Sequence, residues 1–183
     1  MKKNKRRNYT DEFKEEAVKL VTEQHYKITE AARNLGIQLA KGIYIAFLDS
    51  DDMMELTCLA DKVSLAQERP DAGVIGGGCR YIDDEGNLLS SYTHSRGSIK
   101  YDDLAVWTAF PGATGNIFSK RELLLSVGGF KANLFDSEDR DLLRRLVEIE
   151  PIISVEASTL VMRVHTTPRI NRDLSSLMYS RRW

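Results

Sequence analysis

Three carboxylates close an apolar run. Ile43-Tyr44-Ile45-Ala46-Phe47-Leu48 leads straight into Asp49-Ser50-Asp51-Asp52. On an extended backbone Asp49 and Asp51 stand two apart, so both side chains leave the same face, with Asp52 directly after them. That much negative charge beside an apolar strand is costly unless a cation offsets it. Hard divalent cations take oxygen ligands, and phosphates complete their shell. Open α/β sheets also place ligands at the C-terminal ends of strands. The local residues leave two readings open: a metal–phosphate site, or a solvated acidic turn. A second acidic cluster, Ser137-Glu138-Asp139-Arg140-Asp141-Leu142, reads locally as a helix start, with Ser137 as N-cap and acids favourable against the helix dipole. His165, taken alone, is by default a surface or core histidine.

These residues need elements to hold them. The continuous apolar stretch 43–48, with aromatic and β-branched members, predicts a strand covered on both faces, of the parallel-sheet kind. Thr10 is a good N-cap for a helix over 11–23, with Phe13, Ala17, Leu20 and Val21 at helical spacing. Thr29 is read as the cap of a second helix with Ala31, Ala32 and Leu35 on its apolar face, ended by Gly36. A helix over 55–67 is expected to turn Leu56, Leu59, Val63 and Ala66 inward. Ala72–Ile75 reads as a short strand, Arg80–Ile82 as extended, and Asp84-Glu85-Gly86-Asn87 as a hairpin tip. Helices are expected over 99–106, over 120–127 capped by Ser119, and over 141–149, with a short strand at 116–119 and a strand region over 152–164. Gly76-Gly77-Gly78 is not a phosphate loop, because the Gly-Lys-Ser/Thr ending is missing. It suits close approach of strands.

Composition narrows the class. The 183 residues are 42% apolar and 29% charged, with net charge -1, which is ordinary for a globular protein and gives no global basic field for nucleic acid. The charge is uneven: residues 1–42 carry a net +4 and the remainder a net -5. No apolar run approaches the roughly 18 residues of a membrane helix, so no transmembrane segment is expected. The charged start lacks the apolar core of a signal peptide. Cys58 and Cys79 show no metal spacing, so a reduced, cytoplasmic setting is expected.

Ala32-Arg33-Asn34-Leu35-Gly36-Ile37-Gln38-Leu39-Ala40-Lys41-Gly42, then the apolar strand, then Asp49-Ser50-Asp51-Asp52, resembles the core signature of family 2 glycosyltransferases of the GT-A type. The resemblance implies a nucleotide-sugar donor whose diphosphate is met through Mn²⁺ or Mg²⁺. Asp51 would be the metal ligand, Asp49 would lie nearer the donor ribose or sugar while also a candidate ligand, and Arg33 and Asn34 would pack beneath the donor. Ile43 stands where the family often has Glu. Glu138-Asp139-Arg140-Asp141-Leu142 resembles the family's Glu-Asp-X-Asp-Leu segment, which makes Asp139 the expected base toward an acceptor hydroxyl of a sugar or glycan, with Glu138 second and inversion at the anomeric carbon. Gly112-Ala113-Thr114-Gly115-Asn116 is similar to the acceptor-side loop, Gly128-Gly129-Phe130 to the Gly-Gly-Phe before the base, and Arg163-Val164-His165 to a late Arg-X-His that puts His165 near the metal or diphosphate. Trp107 and Phe110 are open between acceptor contact and plain packing.

The resemblance runs from about residue 31 to about 173. It implies an incomplete α/β, Rossmann-like GT-A domain over 38–173 that lacks the family's N-terminal nucleotide-reading strands, followed by a tail over 174–183. Residues 5–37 instead resemble the start of an insertion-sequence transposase helix-turn-helix, through Arg6-Arg7, Tyr9-Thr10, Glu12-Phe13-Lys14 and Glu30-Ala31-Ala32-Arg33-Asn34-Leu35-Gly36-Ile37. That makes 1–37 a basic arm plus two helices, partial in the same sense, since a recognition helix should follow. The basic N-terminus offers weak, non-specific DNA contact at most. The expected function is glycosyl transfer, with an inactive remnant, a transposase-like DNA-binding protein and a non-functional fusion product as the alternatives.

Overall fold

The computed structural model describes residues 10–93, 98–99, 113–132, 134 and 137–165. The basic arm, Gly112, Trp107, Phe110, the helix expected after Ile99 and the tail beyond His165 lie outside them. Two helices come first, α1 (Asp11–Thr22) and α2 (Ile28–Leu39). Then follow β1 (Tyr44–Ala46), β2 (Met53–Met54), α3 (Cys58–Glu68), β3 (Val74–Ile82), β4 (Leu88–Tyr92), β5 (Ser98–Ile99), a 3-10 turn (Ala113–Asn116), β6 (Phe118–Lys120), α4 (Arg121–Ser126), α5 (Glu138–Val147) and β7 (Ile152–Arg163). Among the described residues, no helix is long and apolar enough to cross a membrane.

α1 starts as its sequence predicts, with Thr10 Oγ1 accepting from the Phe13 amide at 3.3 Å. The Thr29 cap is corrected: α2 begins at Ile28, and Glu30 reaches back to accept from the Lys27 amide at 3.0 Å. The longer Glu side chain reaches the orphan amide one turn back, the reciprocal half of a capping box. Gly36 does not end α2, which runs on to Leu39.

The sheet runs β1-β6-β3-β7-β2, with β4 on the C-terminal half of β3 and β5 on β7. Among the described residues the expected parallel character holds only between β3 and β7; the other pairs are antiparallel. The strand expected over 43–48 is three residues long, paired on one side only among the described residues, and half-buried, with Ile43 78% exposed. Its place at the end of the sheet order explains this: a strand with one neighbour needs no apolar cover on both faces. β3 passes through the three glycines without a break, where the sequence suggests two pieces.

Alternation along the strands feeds two cores. Val74, Ile117 and Ile152 join Leu124, Phe130, Leu142 and Leu146 on the side of α4 and α5. Their neighbours Ile75, Phe118 and Ile153 join Leu65 and Ala66 of α3 on the other side. α3 is rotated from its expected orientation: it buries Cys58, Lys62, Leu65 and Ala66, whereas Leu56 is fully exposed and Leu59 and Val63 are exposed. The Lys62 amine explains the rotation. It is buried and donates to both the backbone and side-chain oxygens of Asn116 at 2.8 Å, and Asn116 also accepts from Thr159 Oγ1 at 2.7 Å. A buried ammonium is tolerated only with such acceptors, and the network ties α3 to the 3-10 turn and β7. Ser137 stands at the N-cap position of α5 as expected, though in the left-handed region (φ 67) and without a side-chain capping bond.

Two outcomes follow from this packing. Burial lowers the Lys62 amine from 10.5 to about 8. Between those values the unfolded chain holds a proton that the folded chain does not, so stability contributed at this site rises with pH. Urea unfolding of Cys58→Ala and of Cys58→Ala with Lys62→Met at pH 7 and pH 10 should show the lysine-bearing chain gaining on the other by on the order of 2 kcal/mol; the Cys58 thiol, whose charge is coupled to Lys62, is absent from both, and the Cys79 thiol, pushed up to about 11 by burial, is common to both and cancels. At Gly78 an added Cβ would lie 2.5 Å from the Tyr92 carbonyl oxygen, a backbone atom of β4. Gly78→Ala should therefore lower stability by about 1–3 kcal/mol in the same assay.

Candidate functional site

The chain leaves β1 and turns at once. The Asp52 amide donates to the Asp49 carbonyl at 3.2 Å, so residues 49–52 form a tight turn and not the extended tip that would send Asp49 and Asp51 off one face. Each carboxylate then takes its own partner. Asp49 meets Arg33 Nη2 at 3.0 Å, Asp51 meets His165 Nε2 at 3.3 Å, and Asp52 Oδ1 accepts from the Arg163 amide at 3.1 Å.

Arg33 also reaches the second acidic cluster. Its Nη1 lies 3.1 Å from Glu138 Oε1 at the start of α5, so one guanidinium joins Asp49 to Glu138. Its side chain is 18% exposed and its Cζ stands 5.3 Å from the centre of the Phe130 ring. A planar, always-charged fork suits this double contact better than an ammonium would, and the ring face beneath adds a cation–π attraction. Phe130 is itself fixed by Asn34, whose side-chain amide donates to the Phe130 carbonyl and accepts from its amide, both at 2.8 Å. Gly129, at φ +64, is needed there: a Cβ would strike Asn34 Oδ1. Arg145 completes the brace, donating to the Val127 and Gly129 carbonyls at 2.6 and 2.8 Å. The Gly128-Gly129-Phe130 turn thus aims the N-terminus of α5 at the tip.

Asp139, next to Glu138, accepts from the Arg140 amide at 2.8 Å. Burial raises its carboxyl above the usual range, and the negative charge of Glu138 adds to the effect. Glu30, buried in the first turn of α2, is raised chiefly by burial, with Glu138 contributing. The tip thus has a guanidinium that bridges two acidic side chains, beside a third carboxylate with increased proton affinity.

Of the residues singled out in the sequence, the structure brings together Arg33, Asp49 and Glu138 in one group and Asp51 and His165 in another. Asn34 is spent on the Phe130 backbone, a supporting place. Among the described residues no group of three or more His, Cys, Asp or Glu side chains is placed to hold a metal. Sequence reasoning passed over Asp84, which lies 2.8 Å from His165 Nδ1, and Lys62. Asp84 carries a signal only as part of a hairpin tip, and Lys62 is not among the residues of its helix expected to turn inward.

Comparison with known proteins fits this geometry. The chain is similar to S. aureus TarS, at 15% identity and TM-score 0.57 over 73% of this chain and 40% of that one. It is equally similar in fold to S. aureus TarS in complex with UDP-GlcNAc, at 16% identity and TM-score 0.57 over 79% of this chain and 40% of that one. These likenesses establish an α/β fold of the GT-A-like kind. Among curated proteins it is 30% identical to the uncharacterized protein y4gI of Sinorhizobium fredii over 64% of this chain and 12% of that protein. It is 39% identical to the E. coli UDP-Glc:alpha-D-GlcNAc-diphosphoundecaprenol beta-1,3-glucosyltransferase WfgD over 30% of this chain and 21% of that protein. The chain therefore spans well under half the length of each of these relatives. The family model described as glycosyltransferase like family 2 matches residues 8–179, taking in both N-terminal helices as well as the sheet, and the chain belongs to that family.

Proposed function

We propose that the turn after β1 and the N-terminus of α5 form a site that transfers a sugar from a nucleoside-diphosphate donor to an acceptor hydroxyl on a sugar or glycan, in one displacement with inversion. The observation that carries this reading is the Arg33 bridge, which holds Asp49 and Glu138 on either side of one guanidinium. It sets the donor-side carboxylates beside the candidate base.

In this reading Asp139 takes the proton from the acceptor hydroxyl. Its raised proton affinity makes it a stronger base than an ordinary aspartate, provided the pH leaves it ionised. Glu138 is the second candidate, though its carboxylate is engaged by Arg33. Asp49 and Arg33 face the donor, and Asn34 holds the backbone of Phe130, whose ring lies against Arg33. Asp51 and His165 would hold Mn²⁺ or Mg²⁺, with Asp49 as a further candidate. A pair of protein groups fits the chemistry, because such ions at nucleotide sites take one or two protein ligands and fill their shell with substrate phosphate oxygens. When bound, the ion supplies positive charge to the departing diphosphate. The UDP-sugar names attached to WfgD and to the TarS complex make UDP the first nucleotide to test.

Thermal unfolding with UDP or GDP, with and without Mn²⁺, tests the donor side. Saturation at about 100-fold over Kd stabilises by about 2.7 kcal/mol, which for a chain of this size raises the midpoint by roughly 5–10 °C. The rise is expected only with nucleotide and Mn²⁺ together, and Asp51→Asn should abolish it. A midpoint that never moves, with Asp51→Asn behaving as wild type, would sink the reading. On the acceptor side, Asp139→Asn should lower kcat by about 10²–10⁴-fold. The acid limb of kcat/KM should lie above the ordinary aspartate value of 3.8, and Glu138→Gln should move it down, since removing a like charge eases ionisation of Asp139.

A further inference from the structure

The His165 ring lies between two carboxylates. Its Nε2 stands 3.3 Å from Asp51 and its Nδ1 2.8 Å from Asp84. Asp84 belongs to neither acidic cluster; it sits at the hairpin tip joining β3 to β4, 81 residues from His165 in the chain. That tip is held firmly. Asp83 closes it, its carboxylate accepting from the Asn87 amide at 2.7 Å and from the Asn87 side chain at 2.9 Å. Arg163, two residues before His165, donates from Nη1 to the Asp83 and Asp84 carbonyls, each at 3.1 Å. The end of β7 and the hairpin are thus locked together through backbone acceptors, and the Asp84 carboxylate meets the ring.

We propose that Asp84 is a positioning residue of the donor site: it holds His165 through Nδ1 and so keeps Nε2 turned, without a proton, toward Asp51 and the cation bound with the diphosphate. The inference rests on the reading of Asp51 and His165 as metal-holding groups. A neutral imidazole has one N–H, and the two carboxylates compete for it. The shorter contact, to Asp84, wins it for Nδ1. Nε2 then keeps its lone pair on the side where a cation can use it. Without Asp84 the remaining carboxylate, Asp51, draws the proton to Nε2, the nitrogen that the cation needs. A carboxylate behind a ligating histidine acts this way in metal sites generally, fixing both tautomer and ring orientation. Stability is a poor alternative reason for the contact, because both partners are about one-third exposed and exposed pairs contribute little.

The test uses the full chain. Mn²⁺ affinity in the presence of UDP, followed by the electron spin resonance of free Mn²⁺, should fall about 10–100-fold in Asp84→Ala. Asp84→Asn should bind close to wild type, because its side-chain oxygen still accepts from Nδ1. In the metal-free protein, nitrogen-15 NMR of the neutral His165 ring, assigned by its loss in His165→Gln, should show the proton on Nδ1 in wild type and Asp84→Asn and on Nε2 in Asp84→Ala. Equal Mn²⁺ affinity in wild type and Asp84→Ala would overturn the role of Asp84 and leave the donor-site reading standing. Weaker binding with an unchanged tautomer would also overturn it, as a merely structural effect. Absence of Mn²⁺ binding in wild type would overturn the metal-holding reading of Asp51 and His165, and this role with it.

Discussion

One guanidinium governs the site. Arg33 is shared by carboxylates that lie 16 and 105 positions away in the chain, Asp49 and Glu138. Two acidic segments brought to one corner of a fold repel each other, and a half-buried setting raises the cost because solvent screens less. Arg33 offsets that repulsion and also sets the separation of the two segments. The supports beneath it follow from this need. The Phe130 ring takes the guanidinium from below, Asn34 clamps Phe130 by both ends of its amide, and Gly129 leaves room for that clamp. Because Arg33 and Asn34 are neighbours on α2, a single helix delivers both the cation and the clamp.

The second group at the tip is organised by the sheet. β3 and β7 run parallel and adjacent along most of their length, so the hairpin after β3 and the end of β7 arrive at the same edge. That is how Asp84 and His165 meet, and how Asp52 reaches the Arg163 amide. Close approach of these strands is permitted by the glycines in the middle of β3. The buried Lys62 network lies under the same region, linking α3 to Asn116 and Thr159. Packing and site therefore share residues: the turn at Ala113–Asn116 belongs to the core through Asn116 and approaches Asp52 through Gly115.

Much of the fold was legible because it depends on local periodicity and caps. α1 with Thr10, the hairpin at 84–87, the helix before Gly128-Gly129 and the long last strand follow from spacing alone. The errors share a cause. The apolar run at 43–48 reads as doubly covered, but cover depends on what packs over each face of the sheet, which the run itself does not record. The orientation of α3 was read from Leu56, Leu59 and Val63, but Lys62 finds buried oxygens on β6's preceding turn, and that tertiary match outweighs the apolar stripe. At the site, the acidic residues were visible as residue types, and their pairing was not. The turn at 49–52 separates Asp49 from Asp51, and only the three-dimensional path shows that one goes to Arg33 and the other to His165.

Arg163 grips the hairpin by carbonyl oxygens, which every residue type supplies. The grip of Arg163 on that corner is consequently indifferent to the side chain at position 84, whereas the chemistry of the corner depends on it. Drift at position 84 can change what the imidazole does while Arg163 and the Asp83–Asn87 bonds keep the hairpin in place. A lineage could lose or regain the carboxylate there in single steps, with the frame intact throughout.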